Sequence, residues 1–278
     1  MTAARGWSLS VAVMGVAMLA VRSSPSAQVQ PQAWGTPGLT AEQFANVPPG
    51  GPAPRRDLSG VWDAGVAGIG GSAGAAAREA ARAPFTALGE RMVAPNKPGN
   101  GPRAVPVSQI NDPLSTMGDP AGFPRMLTFE LRPFQVLQTP TQVVMLHAFE
   151  KRWRVIWTDG RPLPTDPDPR WYGYSVGRWD DDATFVVTTV GLDDRTWLDN
   201  SGNPHSASLR VEERYRRVSE NLMELTVTLD DPEVYTKPWI ARNRLPLKRM
   251  PTGTDLFEMV PSASESQAYQ RSIASQAQ

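Results

Sequence analysis

The sequence predicts a mainly all-β fold: an antiparallel β-barrel or strongly bent sheet with a short N-terminal helix. Three observations predict it. From residue 125 onward, β-branched and aromatic runs follow one another at short spacing. The breaks between them are Pro-rich or charged turns, with no alternation of strands and long helices. Pro (27) and Gly (23) are abundant, so turns and loops occupy much of the 278-residue chain.

The elements follow in order. Residues 1–27 place Arg5 ahead of an apolar stretch and end in small residues, the pattern of a signal peptide cut after Ala27. The apolar stretch is shorter than the roughly 20 residues that span a bilayer. The expected location is therefore periplasmic or secreted, without stable membrane insertion after cleavage. Residues 28–56, rich in Pro, Gly, Ala and Gln, read as a flexible lead-in. A single barrel-like domain is expected over 57–262, opening on the strand DLSGVWD (57–63). Ala-rich residues 75–83 predict the short helix. Strands are expected at 125–131, 134–138, 142–149 and 152–159. Residues 171–179 with 183–190 predict one hairpin, and 208–217 with 222–231 another. DGRPLPTDPDP (159–169) and residues 192–204 read as long loops, the chain beyond 239 as irregular, and 263–278 as a polar tail.

Composition narrows the function. Equal numbers of basic and acidic residues, 28 each, argue against a nucleic-acid partner. No polybasic cluster suits an anionic membrane. The absence of cysteine excludes disulfides, thiolate nucleophiles and cysteine metal sites.

DLSGVW resembles the Gly-x-Trp start of lipocalin-like (calycin) barrels, carried by Gly60 and Trp62. The segments FPR (123–125), FQVLQTP (134–140), DGRPLP (159–164), WYGYSVGRW (171–179), TWLDNSGNPHS (196–206), ERYRR (213–217) and DDPEVYTKPW (230–239) are similar to those of an uncharacterised family of exported soil-bacterial proteins. That resemblance implies a calycin-like architecture and candidate positions, with no assigned reaction. Members of the family often carry a cysteine ahead of the Pro-Arg segment, and this chain has none.

As a strand, residues 209–217 place Leu209, Val211, Glu213 and Tyr215 on one face and arginines with Glu212 on the other. A helix also fits Val211, Tyr215, Val218 and Leu222, but the LTVTL run and the turn-like VSEN favour a hairpin. An inward Glu213 has two readings: a structural ion pair with Arg154 or Arg178, or a general acid–base group working with His205 at the barrel mouth. His147 shares a strand face with Val143 and Met145. Two histidines 58 positions apart, without HxH or HExxH, predict no metal site. The run DDD (180–182) reads as turn chemistry. No GxSxG and no phosphate-binding loop point to a serine hydrolase or a nucleotide, and no cofactor is implied. Trp171, Tyr174, Trp179 and Trp197, with Arg154 and His147, are the expected lining of a ligand cavity. The expected function is an exported barrel that binds an apolar or aromatic small molecule. The alternative is a cofactor-independent lyase, isomerase or hydrolase using the same cavity.

Overall fold

Alternation organises the chain. In β3 (Gln142–His147) and β8 (Leu222–Asp230) every second side chain is buried, as in strands with one face against a core. The other strands are β1 (Gly60–Asp63), β2 (Phe134–Gln138), β4 (Trp153–Trp157), β5 (Tyr174–Trp179), β6 (Thr184–Val190), β7 (Arg210–Arg217) and β9 (Trp239–Arg249). This computed structural model describes residues 34–69, 84–260 and 262–276, so the expected leader and the 75–83 helix lie outside the described residues. Each strand pairs with the next, and β9 returns to β1 through Trp62↔Arg249 and Asp63↔Lys248, closing a barrel. Closure removes the sheet edges.

The expected all-β barrel is thus formed, but it is mixed rather than wholly antiparallel. β4 and β5 run parallel, joined by only two residue pairs, Ile156↔Ser175 and Trp157↔Val176. Parallel neighbours need a crossover connection. Residues 158–173 supply it, carrying the chain back from one barrel end to the other as an exposed, Pro-rich loop.

Register places Phe134, Met145, Ile156, Phe185, Tyr215 and Leu225 on the inward face, all fully buried. Trp62 is also fully buried, its Nε1 donating to the Leu58 carbonyl at 2.9 Å, with the Arg217 guanidinium 4.7 Å from its ring centre. Gly177 on β5 belongs to this layer. A Cβ there would lie 2.3 Å from Phe185 Cζ and 2.8 Å from Ile156 Cγ2, so a bare backbone is what lets the Phe185 ring cross beneath the parallel seam.

Four expectations are corrected. Residues 125–131 contain a helical turn, α4 (Arg125–Thr128), not a strand. Its four residues are all buried, a pattern without the alternation a strand needs. The chain beyond 239 is not irregular at first but forms β9, the longest strand. Arg244 at positive φ and a register shift beside Val227 interrupt its alternation, and Pro246 disguises it further. Residues 34–56 are docked rather than a flexible lead-in. The Pro49 and Gly51 carbonyls accept from the Asn221 and Glu220 amides at 3.0 and 2.9 Å, and Arg56 N donates to the Asp182 carbonyl at 2.7 Å. Prolines lack a donor but keep their acceptor, so this segment satisfies the turns at one barrel end. Within it, α1 (Ala41–Asn46) is closed by a Thr40/Gln43 capping box. The polar tail is helical: α5 (Ala263–Gln276) packs on α3 (Pro113–Thr116), while α2 (Ala87–Val93) begins at a Thr86 cap.

Gly177→Ala is expected to lower stability by about 1–3 kcal/mol through overpacking. A urea denaturation curve with an unchanged midpoint would show that the Phe185 ring has room to yield.

Candidate functional site

The barrel interior holds an ion pair between Arg154 and Glu213. Arg154 on β4 donates through its two terminal nitrogens to Glu213 on β7, at 2.8 Å to Oε2 and 2.6 Å to Oε1. Its remaining N–H groups reach Ser175 Oγ on β5 (3.2 and 3.0 Å) and Thr189 Oγ1 on β6 (2.7 Å). Tyr215 donates its hydroxyl to Glu213 Oε2 at 2.7 Å. Glu213 is completely buried, as the alternation of residues 209–217 predicts. Of its two sequence readings, the geometry is that of the ion pair with Arg154; Arg178 instead meets Asp180 in solvent.

A plug closes the barrel end where β1, β3, β6 and β8 finish. Residues 121–128 are all buried, and the Phe123 ring lies 4.0 Å from the Arg154 guanidinium. The loop of residues 196–206 is buried against it, with Thr128 Oγ1 donating to the Leu198 carbonyl. Loops normally lie at the surface because their backbone polar groups need partners. Here side chains provide them. Asp199 accepts from the Ser201 amide at 2.9 Å, Arg103 donates to the Ser201 carbonyl at 3.0 Å, and Asp231 accepts from the Ser206 amide at 2.6 Å.

His205 sits inside this plug, fully buried, rather than at an open mouth. Its Nδ1 faces the Ser206 carbonyl at 3.0 Å, which only accepts, so Nδ1 carries the proton and Nε2 (2.9 Å from Thr196 Oγ1) accepts. Burial lowers its pKa, opposed by the Ser206 contact and nearby aspartates. No partner of His205 is a partner of Glu213. The structure therefore does not bring the two expected catalytic residues together.

A groove lies outside the barrel wall, between the β4–β5 seam and the crossover. Its volume is about 560 Å³, within the range of small-molecule sites. Five aromatic side chains line it: Trp153, Trp157, Trp171, Tyr172 and Tyr174. Four lie beneath arginines, with Arg161 3.4 Å from the Trp157 ring centre, Arg170 4.0 Å from that of Tyr174, Arg195 4.4 Å from that of Trp171 and Arg152 6.0 Å from that of Tyr172. Arg154 and Ser175 form part of the floor. Tyr172 donates its hydroxyl to Glu150, which also accepts from the Ala121 amide at 2.6 Å, tying one groove wall to the plug.

Of the expected ligand residues, Trp171, Tyr174 and Arg154 line this groove. Trp179 does not: it faces inward from β5 and tilts against Phe185, ring centres 5.2 Å apart. Nor does Trp197, which is 5% exposed in the plug with the Arg125 guanidinium 5.6 Å from its ring. A polar neighbourhood in sequence concealed a core position. His147 stacks on Phe134 at 5.4 Å and borders a neighbouring cavity of about 270 Å³, whose walls share Arg152 and Trp153 with the groove. Sequence reasoning missed Trp153 and Trp157 as site residues. The signal was present: alternation that buries Arg154 and Ile156 turns both tryptophans outward, and Trp153 is 68% exposed. The aspartates of 180–182 are turn and surface groups, Asp180 accepting from Arg178 and Arg214, Asp181 from the Ala183 amide, and Asp182 pairing with Arg55.

These features define a closed, plugged barrel with an aromatic groove on its outer wall. Comparison with protein-family models, curated proteins and solved structures gives no match. Function is therefore argued from the groove and the interior themselves.

Removing one partner of a buried pair leaves a charge without compensation, so Glu213→Gln is expected to cost about 3–5 kcal/mol. The double replacement Arg154→Met with Glu213→Leu should recover much of that loss in a chemical denaturation series. A neutral Glu213→Gln would mark the pair as dispensable.

His147 is held at a pKa of about 3, by burial first and then by the charge of Arg154. Both histidines thus titrate below the ordinary value of 6.5 when folded. The unfolded chain takes up more protons as pH falls through that value, so stability drops on acidification, by about 1.4 kcal/mol per pH unit for each histidine within its window. Asp199, raised by burial, acts with the opposite sign. His147→Leu should therefore flatten the decline in unfolding free energy between neutral and mildly acid pH. An unchanged slope would refute the assignment to His147.

Proposed function

We propose that this is an exported barrel protein that binds a flat apolar or aromatic small molecule in the groove between β4, β5 and the crossover. The observation that carries the reading is the convergence of five aromatic side chains on one groove of about 560 Å³. Aromatic rings offer large apolar faces and stack on flat ligands with little loss of conformational freedom. Export is supported by the signal-peptide pattern of residues 1–27. No helix among the described residues is long and apolar enough to cross a membrane. Kinship with the calycin-like exported family belongs to the same reading, supported by Gly60 and Trp62 in the first strand of a closed barrel.

The acid–base alternative finds less support. Both Glu213 oxygens are committed to Arg154, one also to Tyr215, and His205 is sealed in the plug.

The test is tryptophan fluorescence of the purified protein titrated with a neutral flat ligand such as 2-naphthamide. Saturable quenching is expected. Trp157→Ala and Trp171→Ala should each weaken binding by roughly three- to tenfold, the loss of one stacking contact. Trp197→Ala should instead lower stability by about 3–5 kcal/mol as a core truncation. Quenching that survives the combined loss of Trp157 and Trp171, at unchanged affinity, would place the ligand elsewhere.

A further inference from the structure

We infer that the groove recognises a flat aromatic acid, with Arg170 as the counter-ion of its carboxylate. The inference rests on the proposed binding function and adds the charge and chemical class of the ligand.

The argument is a charge census of the groove. Four arginines line it, Arg152, Arg154, Arg161 and Arg170, and no Asp or Glu does. Three have a carboxylate nearby. Arg154 is engaged by Glu213, Ser175 and Thr189. Arg161 holds Asp159 through Nε at 2.9 and 3.0 Å and through a terminal nitrogen at 2.6 Å. Arg152 lies 3.8 Å from Glu150.

Arg170 differs. Among the described residues no carboxylate lies within ion-pair distance of its guanidinium, which is stacked 4.0 Å from the Tyr174 ring centre. Stacking fixes the plane of a guanidinium while leaving its N–H edge available, the fork that meets a carboxylate with two parallel hydrogen bonds. The backbone of Arg170 is independently anchored, its amide donating to Gly191 O and its carbonyl accepting from Gly173 N, at 3.0 and 3.2 Å. The cation is therefore held on a fixed stem at the groove wall.

Geometry also selects among anions. A phosphate is usually cradled by several backbone N–H groups or a helix N-terminus. This groove is walled by Pro120, Pro162 and Pro164, which have no N–H. A single fork with aromatic faces around it matches a planar carboxylate carried on a ring. The same uncompensated cation disfavours basic ligands.

The experiment compares 2-naphthoic acid with 2-naphthamide, of the same shape but without charge, by calorimetry on the full chain at low and high salt. The acid is expected to bind about tenfold more tightly at low salt, as for one charge-assisted hydrogen-bonded contact, with the preference shrinking as salt rises. Arg170→Gln should abolish the acid's preference, read as the ratio of acid to amide affinity within the same variant. Arg170→Lys should retain only part of the preference, since a point charge replaces the fork. Thermal melts of both variants should match the parent, because the side chain is exposed. If acid and amide bind equally, or Arg170→Gln leaves the preference intact, the inference fails while the aromatic groove stands. If neither compound binds, the inference and the binding function fall together.

Discussion

The ion pair between Arg154 and Glu213 holds the barrel at one of its two thinnest seams. The β4–β5 seam has two residue pairs, against eight between β7 and β8. Arg154 crosses that seam through its side chain, binding Ser175 on β5, Thr189 on β6 and Glu213 on β7. A buried guanidinium is costly to desolvate and is tolerated only when its donors are matched. The four strands β4 to β7 supply those matches together, so their relative positions are fixed by one side chain. Apolar residues would fill the same volume, but they would not discriminate between the native register and a slipped one.

The plug depends on the same pair. Phe123 covers the Arg154 guanidinium, and its amide donates to the Trp171 carbonyl at 2.8 Å. Water is thereby kept from the ion pair on one side, while the plug gains a backbone anchor beside the groove. Arg242 extends the pattern by donating to the Leu127 and Thr128 carbonyls at 3.0 and 2.7 Å, closing the last turn of a short buried helix. Its pKa is lowered to about 10 by burial, with Asp199 opposing. Buried loops in this protein are made possible by long side chains that carry hydrogen-bond donors inward.

How much was legible in the sequence follows from which interactions are local. Strands β2 to β8 were readable because their alternation is governed by one apolar core and one solvent face. The inward position of Glu213 followed from the same rule. The rest depended on tertiary partners. α4 is buried on every side, so its composition resembles a strand. β9 is interrupted by a bulge and a proline. Residues 34–56 look like linker because their prolines and glycines prevent regular structure, yet their carbonyls are acceptors for turns far away in sequence. Trp197 and His205 lie in a polar segment whose burial is visible only once Arg103, Asp199 and Asp231 are seen to satisfy its backbone. Trp171 and Tyr174 were legible as groove residues, but the groove was expected inside the barrel and lies outside it.

That displacement has a physical origin in the crossover. An antiparallel hairpin between β4 and β5 would need only a short turn at one end of the barrel. The parallel arrangement requires the chain to return along the wall, and residues 159–169 do so with prolines at 162, 164, 167 and 169. Each proline removes a backbone donor, so this segment cannot add itself to the sheet as a further strand. It passes the seam at a distance instead, leaving Trp153 exposed while the Arg161 and Arg170 side chains of the crossover reach back onto the Trp157 and Tyr174 rings. The interior is already filled by Phe185, Tyr215 and the Arg154 cluster. Space for a ligand therefore opens between wall and crossover, where the seam has only two residue pairs and the loop is least able to bond to it.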